Sequence, residues 1–409
     1  MNTRLKIIFE TGIIADLHKN QAGLYRYADE LLKKLYQEKD KKIDLFYSIF
    51  SHERSKSTST DIENIFTEKE YNIEPVNKRY RRKFLLLRKE KPFRYLYKKM
   101  GIKDYKTINY SILKNKFVYH SPYYPIPKEI NKLTNVKKVV TIHDLIPIIF
   151  PNYNTDKILI EEIINSIEND GFVICVSNHT KQDLLKLYPQ IKPERIFVSY
   201  LAANPSTFYV NKDRDIFKEI QKKYTIPSRY FLGLSTLEPR KNIDHVIRNF
   251  IKFIQTNNIN DLSLVLVGSK GWNYEKIFEE YENSKELKNK VIITGRIPDE
   301  DLASVYSNAE AFFYMSIYEG FGLPPLEAMQ CGVPTVVSNI SSLPEVVESG
   351  GILLDPYDNN SLQEIMLTLY SDKNVREEYS NKALERSKYF SWEKTCDEHI
   401  NIYKKIIEL

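Results

Sequence analysis

Short apolar segments alternate with amphipathic helical patterns along the whole of this 409-residue chain. The apolar segments are rich in β-branched residues and do not alternate with polar ones, which is typical of strands covered by helices on both faces of a parallel sheet. The segments between them repeat apolar residues at helical spacing, for example at 24–35 and 302–309. The pattern therefore predicts an α/β fold built on parallel sheets.

Twelve segments are predicted to be strands, and they form two successive sets. The first set is Leu5–Thr11, Ile43–Phe50, Phe117–His120, Lys138–His143, Phe172–Ser177 and Arg195–Tyr200. The second set is Tyr230–Leu237, Ser263–Gly268, Val291–Gly295, Ala311–Ser316, Thr335–Ser338 and Gly351–Asp355. Two sets imply two doubly wound, Rossmann-like domains that face a cleft, where ligands of such sheets bind.

The charged stretch 209–228 lies between the two sets and ends in a Pro-Ser pair. We expect it to be an interdomain linker between an N-terminal domain, 1–208, and a C-terminal domain, 229–385. Residues 386–409 are expected to form a separate C-terminal helix.

The composition, 42% apolar and 28% charged, is that of a globular protein. Three widely spaced cysteines, Cys175, Cys331 and Cys396, show neither disulfide nor metal spacing, so we expect buried thiols in a reducing cytoplasm. The first residues do not read as a signal peptide, and no run of 18 apolar residues is found. Asp213-Arg214-Asp215 has the spacing of a metal motif but does not follow a strand, and we expect it on the surface.

The motif with the most chemical content is Tyr318–Met329, YEGFGLPPLEAM, which follows a predicted strand. Its glycines allow a tight turn, and Pro325 suits the first position of a helix with Glu327 in the first turn. Free amides at a helix start favour a phosphate, while Glu319 and Glu327 could accept hydrogen bonds from sugar hydroxyls. The alternative is a capped helix with a surface glutamate.

A second motif, STLEPRKN at 235–242, follows another predicted strand. Arg240 and Lys241 at a strand's carboxyl end suit a diphosphate. The alternative is a solvated loop with surface charges.

Three further motifs are weaker. His143 and Asp144 leave a buried strand together, which indicates a cleft, although a lone histidine is more often structural. Gly23 and Arg26 lie at the start of the first long helix, and the segment 341–346 reads as a turn into a short helix.

These motifs, in this order, resemble those of the family-four retaining glycosyltransferases. EGFGLPPLEAM is similar to the family's E-x7-E motif, and STLEPRKN, TIHDLIP, PDEDLASVYSNA and SSLPEVVESGGILLDP are similar to its neighbours. The subgroup with STLEPRKN and HDLIP includes mannosyltransferases of bacterial surface polysaccharide synthesis. The resemblance implies the GT-B fold, retaining transfer without a metal or other cofactor, and a last helix, 390–403, that crosses back onto the first domain.

The resemblance also implies roles for individual residues. Glu319 matches the acid on the donor sugar, Glu327 the acid on the ribose, and Lys241 the lysine on the pyrophosphate. His143 matches the histidine beside the reacting face of the sugar. The remaining donor contacts are expected from Phe321, Gly322, Leu323, Arg296 and Gly23.

Two positions depart from the family pattern. Thr236 stands where many members carry arginine, and Arg240 is expected to supply that cation. Tyr25 stands where the family's second glycine often lies, so Tyr25 and Arg26 are expected to line the acceptor site instead.

The expected function is transfer of a hexose, mannose from GDP-mannose, onto a growing glycan linked to a polyprenyl diphosphate. A UDP-sugar donor, a sugar-nucleotide epimerase and a non-catalytic partner subunit that binds nucleotide sugar are the alternatives. For an epimerase the further acid-base motif is missing.

Positive charge is concentrated in residues 78–99, which carry eleven Lys or Arg residues and one acid, Glu90, a net charge of +10 in a chain of net charge +6. Aromatic and leucine residues interleave with these cations. We expect this segment to dock on an anionic membrane surface at the cytoplasmic face, chiefly through Arg81, Arg82, Lys83, Arg88 and Lys89. A solvated charge run is the alternative, and nucleic acid is disfavoured because no binding motif accompanies the run.

Overall fold

The computed structural model describes residues 4–18, 23–50, 58–80, 105–114, 116–151, 156–275 and 288–409, together with 277, 279 and 282. Its strands, numbered in chain order, are β1 Leu5–Glu10, β2 Ile43–Ser48, β3 Glu74–Pro75, β4 Asn77–Tyr80, β5 Tyr105–Ile108, β6 Phe117–Ser121, β7 Val136–Ile142, β8 Phe172–Cys175, β9 Ile196–Val198, β10 Tyr230–Leu234, β11 Ser263–Val267, β12 Val291–Gly295, β13 Ala311–Tyr314, β14 Thr335–Ser338 and β15 Ile352–Leu354. All twelve predicted strands are confirmed, each within three residues of its expected bounds.

Two parallel sheets dominate the described part of the chain. The first has seven strands in the order β3-β2-β1-β6-β7-β8-β9, and the second has six in the order β12-β11-β10-β13-β14-β15. In each sheet the strand order reverses next to its first strand, between β1 and β6 and between β10 and β13. These are the switch points at which doubly wound sheets bind ligands, and the predicted two-domain α/β architecture is confirmed.

Helices cover both sheets. They are α1 Gly12–Leu17, α2 Gly23–Gln37, α3 Ser59–Glu68, α4 Lys128–Asn131, α5 Ile146–Ile149, α6 Lys157–Ser166, α7 Asn178–Leu187, α8 Arg214–Tyr224, α9 Ile243–Thr256, α10 Asp299–Ser307, α11 Leu323–Gln330, α12 Leu343–Val347, α13 Asn359–Ser371, α14 Lys373–Ser387 and α15 Trp392–Glu408. Leu31, Leu32 and Leu35 of α2 are fully buried, as the helical spacing of its apolar residues predicts.

The last helix, α15, packs against α2 and β6, which both belong to the N-terminal half of the chain. Its buried face includes Trp392, Cys396, His399 and Tyr403. The C-terminal residues therefore complete the core around the first sheet. All three cysteines are buried and unpaired, as expected. Within the described residues, no helix is long and apolar enough to cross a membrane.

Two charged segments were singled out in the sequence. Asp213 and Asp215 are exposed, as predicted, and the Asp213 carboxylate accepts hydrogen bonds from the first amides of α8. Of the basic segment, only residues 78–80 are described, in β4, which pairs with β5 in an antiparallel ribbon. The remaining basic residues named for membrane docking, Arg81, Arg82, Lys83, Arg88 and Lys89, lie outside the described residues, between these two strands.

Candidate active site

A cleft of about 640 Å³ lies between the two sheets. It brings together residues from every strong motif of the sequence. Its walls include the predicted residues His143, Arg240, Lys241, Arg296, Glu319, Phe321, Gly322, Leu323, Glu327, Gly23 and Arg26. Thr236, where the family arginine is missing, also lines this cleft.

Three donors converge on one carboxylate oxygen of Glu319. Lys241 Nζ lies 2.6 Å from Oε1, the Tyr314 hydroxyl 2.9 Å and Arg240 Nη1 3.1 Å. Burial raises the pKa of Glu319, but the charges of Arg240 and Lys241 outweigh that effect and lower the pKa to about 2. Glu319 is therefore a fixed, ionised acceptor in the floor of the cleft.

The guanidinium of Arg240 is held on several sides. Nη2 donates to Glu238 Oε1 at 2.6 Å, and Nη1 donates to the carbonyl of Tyr318 at 2.5 Å. Arg240 thus anchors both Glu319 and the backbone just before it. Neither Glu238 nor Tyr314 was predicted, since a glutamate and a strand tyrosine carry no local signal for this role.

The loop between β13 and α11, called the donor loop below, lines the cleft with Glu319, Gly320, Phe321 and Gly322. The helix begins at Leu323 with Gly322 as its N-cap, so the expectation that Pro325 opens it was wrong. Pro324 and Pro325 occupy the second and third positions, where they supply no N–H. Anion-binding amides must therefore come from Gly322, Leu323 and the loop before them, and Glu327 lies in the second turn.

Hydroxyl groups hold the carbonyls of this loop on its other side. Ser342 donates to the carbonyls of Glu319 and Phe321, at 3.0 and 2.5 Å, and Thr180 of α7 donates to that of Gly320 at 3.1 Å. The Ser341 hydroxyl accepts from the Glu319 amide at 3.1 Å. The motif 341–346 thus shapes the donor loop, a role that its sequence alone did not indicate.

Gly320 is required by a close approach across the cleft. A Cβ at this position would lie 2.0 Å from the carbonyl oxygen of His143, where no atom can fit. Gly322 is required for a different reason, because its φ of +125° is strained for any side chain. Gly320 therefore allows the donor loop to approach the end of β7, and Gly322 allows the turn that follows.

His143 is held in one tautomer. Its Nε2 lies 2.9 Å from the carbonyl of Pro122, which can only accept, so Nε2 carries the proton and Nδ1 is an acceptor. Burial lowers the pKa of His143 to about 4, which keeps the ring neutral at neutral pH. The Tyr27 ring packs edge-on against it, with centroids 4.8 Å apart. His143 can therefore accept a hydrogen bond from a hydroxyl, but it is not a cationic acid.

Glu327 is paired with a residue of the opposite domain. Arg26 Nη1 lies 2.8 Å from Glu327 Oε1, and Nη2 lies 2.7 Å from both carboxylate oxygens of Asp299. The Tyr306 hydroxyl donates to Glu327 Oε2 at 3.2 Å. Burial raises the pKa of Glu327 to about 7, although the charge of Arg26 opposes the shift. Asp299 was not predicted, because its partner is distant in sequence.

Tyr25 does not line the main cleft. It is 4% exposed, and it borders an adjoining cavity of about 170 Å³ that shares Arg26 and Glu327 with the cleft. Its hydroxyl lies 3.2 Å from Nδ1 of His18. Gly23 does face the donor loop, since a Cβ there would lie 3.8 Å from Leu323 Cδ1.

Residues 216–386 match the family model described as glycosyl transferases group 1. A relative matching the whole chain is O-antigen chain mannosyltransferase B of Escherichia coli, 29% identical over 98% of this chain and 100% of its own. The match to this model and the likeness to a full-length relative support a glycosyltransferase. The chain is also similar to O-antigen chain mannosyltransferase RfbU of Salmonella typhimurium, which is 30% identical over 55% of this chain and 59% of its own.

The fold of this glycosyltransferase is GT-B. A glycosyltransferase from Rickettsia africae superimposes over 99% of both chains with a TM-score of 0.67 at 18% identity. The two facing sheets and the cleft between them follow that architecture.

Proposed function

We propose that this glycosyltransferase moves mannose from GDP-mannose to a growing surface glycan, with retention of the anomeric configuration and without a metal ion. The observation that carries the proposal is the convergence of Lys241 and Arg240 on Glu319, in the cleft that Gly322 and Leu323 also line. Cations and a sugar-binding carboxylate meet there at the carboxyl ends of β10 and β13. The full-length likeness to an O-antigen mannosyltransferase supports mannose and a surface glycan.

The chemistry follows from where charge develops. As the glycosidic bond to the diphosphate breaks, negative charge grows on the leaving phosphate and positive charge on the anomeric carbon. Lys241, at the end of the β10 loop, and the donor-loop amides stabilise the leaving group in place. The second carboxylate of the motif, Glu327, is engaged by Arg26 rather than positioned with Glu319 as a nucleophile pair. The acceptor hydroxyl therefore attacks from the side of the leaving phosphate, which takes its proton.

Two neighbouring groups orient the donor sugar. Glu319 is kept ionised and accepts from a sugar hydroxyl, and Nδ1 of His143 accepts from another. The neutral state of His143 suits this role, because an imidazolium would offer no acceptor.

No group of three His, Cys, Asp or Glu side chains among the described residues could hold a metal ion. The cations of the β10 loop take the place of a metal on the diphosphate. We therefore propose that transfer does not depend on a divalent ion.

The acceptor is proposed to be linked to a polyprenyl diphosphate in the inner leaflet of the cell membrane. The support is the cluster of cations at 78–99 in the domain opposite the donor site. Anionic lipid attracts such a cluster by about 1 kcal/mol per Lys or Arg near the surface. The protein would then work as a peripheral enzyme on the cytoplasmic face.

The test is a donor panel with product detection. Purified protein is incubated with GDP- and UDP-sugars and a synthetic lipid-linked mannoside, in buffer with excess EDTA, and the anomeric configuration of the product is read by NMR. We expect an α-linked product from GDP-mannose. Transfer from a UDP-sugar alone would replace the proposed donor. Binding of donor without any transfer or hydrolysis would favour a partner subunit, and rescue of activity by Mn²⁺ only would contradict metal independence.

A further inference from the structure

Arg26 is the one ion-pairing residue among the described residues of the first domain that reaches the donor-side acids Glu327 and Asp299. It belongs to α2, whereas its partners lie 301 and 273 residues later in the chain. Its guanidinium also lies over the ring of Phe208, with 5.6 Å from the carbon to the centroid. The ion pairs with Glu327 and Asp299 form only when the two domains are brought together.

We propose that Arg26 is a positioning residue that orients the Glu327 carboxylate for the two ribose hydroxyls of the donor from across the interface between the domains. The inference rests on the proposed function, because it concerns the same nucleotide-sugar site. Arg26 does not touch the reacting atoms; it acts through Glu327.

The geometry leaves room for the ribose. Arg26 takes one acceptor position on Oε1 of Glu327, and Tyr306 takes one on Oε2. A carboxylate offers about four acceptor positions, so each oxygen keeps one for a hydroxyl of a diol. Arg26 therefore fixes the plane of the carboxylate without filling it. Asp299 in turn fixes Arg26, by binding the nitrogen that does not face Glu327.

The positive charge of Arg26 also helps Glu327 to accept hydrogen bonds from the ribose. Glu327 is buried, and Arg26 is the cation whose charge favours its ionised form. The other titratable groups that face it are Asp299 and Tyr306 of α10 and Cys331 at the end of α11, none of which is a cation. Without Arg26, Glu327 would hold a proton at higher pH and would accept less well from hydroxyls.

The experiment compares nucleotide pairs that differ by one hydroxyl. Affinities of GDP and 2′-deoxy-GDP, and of UDP and 2′-deoxy-UDP, are measured by calorimetry for the wild type, R26Q and R26K between pH 6 and 9. The wild type should prefer the ribonucleotide by on the order of tenfold, the worth of a charge-assisted hydrogen bond. R26Q should lose most of this preference, and R26K should keep part of it. In R26Q any remaining preference should appear only at higher pH, an effect that phosphate titration cannot cause because both nucleotides share it.

The matched control is E345Q. Glu345 of α12 also joins the domains, accepting from the amides of Asn178 and His179 at 3.0 Å each, but it does not touch Glu327. E345Q should weaken both nucleotides alike and keep the preference for the 2′-hydroxyl.

The results distinguish the positioning role of Arg26 from the proposed function. A preference that survives in R26Q, or is lost equally in E345Q, overturns the positioning role of Arg26. A wild type that binds nucleotide without any preference overturns it too and leaves the proposed function standing, whereas a wild type that binds neither nucleotide overturns both. If R26Q fails to fold, the preference of R26K for the ribonucleotide is measured at pH 6 and pH 9 instead. A preference equal to that of the wild type at both pH values also overturns the inference.

Discussion

The hydroxyl of Tyr27 donates a hydrogen bond to Nε2 of His399, 3.1 Å away, and so joins the first long helix to the last. The direction of this bond follows from the hydrogen bond that the other ring nitrogen of His399 makes. Nδ1 of His399 lies 2.8 Å from the carbonyl of Thr395, which only accepts, so Nδ1 carries the proton and Nε2 must accept. His399 is therefore a neutral histidine in a defined tautomer.

The directions of the neighbouring hydrogen bonds, which form one buried hydrogen-bonded chain of side chains, follow in the same way. Because Tyr27 donates to His399, the Thr141 hydroxyl donates to Tyr27 at 2.8 Å and accepts from Nε2 of His120 at 2.8 Å. Nδ1 of His120 then accepts from the Tyr403 hydroxyl at 2.6 Å. The two hydrogen bonds in which a histidine nitrogen accepts, from Tyr27 to His399 and from Tyr403 to His120, need neutral rings. The ring of Tyr27 also packs on His143.

Removing the central hydroxyl should destabilise the protein. In Tyr27→Phe, the Thr141 hydroxyl and Nε2 of His399 lose their partner in a fully buried site. We expect a loss of about 1–3 kcal/mol in the free energy of unfolding, measured by urea denaturation. Tyr357→Phe is the control, since Tyr357 is 67% exposed and should change stability little. Equal stability of both variants would show that the buried chain contributes nothing.

Stability should fall as the pH is lowered from 6.5 towards 4. Burial lowers the pKa of His399 to about 4, whereas the unfolded residue titrates near ~6.5, so the unfolded state binds more protons in this window. At pH 5 this single group should cost about 2 kcal/mol of stability. The pKa values of His120 and His143 are lowered too, which adds to the loss, while the raised pKa of Glu327 acts in the opposite direction.

A variant separates His399 from the other groups. His399→Gln, followed by urea denaturation at pH 7 and pH 5, should lose less stability between the two pH values than the wild type. The same loss in both proteins would mean that His399 is charged or exposed in the folded state.

Lys241→Ala should impair catalysis and leave the fold intact. Lys241 is proposed to stabilise charge that grows on the leaving diphosphate, and a charge-assisted hydrogen bond of about 1.5–3 kcal/mol corresponds to a loss of about ten- to a few-hundred-fold in kcat/KM. Steady-state kinetics with GDP-mannose measure it. The control Lys218→Ala, which removes an exposed lysine paired with Asp215, should leave kcat/KM unchanged. Wild-type turnover in Lys241→Ala would remove this lysine from the site.

Glu319→Gln and Glu327→Gln should differ in kind. Glu319 is tied to Lys241 and Arg240 and is proposed to face the reacting sugar, so its loss should lower kcat. Glu327 is tied to Arg26 and is expected to hold the ribose, so its loss should mainly raise the KM for the donor. Separate determination of kcat and KM for both variants tests this division. Identical defects confined to KM would refute it.

Binding to vesicles should require the basic segment. Wild-type protein should sediment with anionic liposomes, bind less as salt is raised, and ignore neutral liposomes. Replacing Arg81, Arg82, Lys83, Arg88 and Lys89 by Ser should abolish sedimentation while leaving transfer to a water-soluble acceptor intact. Equal binding of the wild type to neutral and anionic vesicles would contradict electrostatic docking.

The strand pattern was readable from the sequence because both faces of these strands are covered, so each strand is a short apolar run between helical segments. The motifs of the proposed donor site could be predicted for a related reason, since Lys241 and Glu319 each lie in the loop that follows a strand. The start of α11 was misplaced because Pro325 suits a first helical position locally, whereas the helix begins at Leu323, where Gly322 at positive φ allows the turn.

By itself, the sequence determined the two sets of strands, the family motifs and the side chains that meet at each strand's carboxyl end, because these depend on residues close together in the chain. Only the tertiary structure decided that Arg26 pairs with Glu327, that Glu345 caps α7, and that His399 shares a hydrogen-bonded chain with Tyr27. Each of those contacts joins elements more than 100 residues apart. Their formation depends on how two separately folded sheets and the returning last helix are packed, and that arrangement leaves no periodic or local signal in the amino-acid sequence.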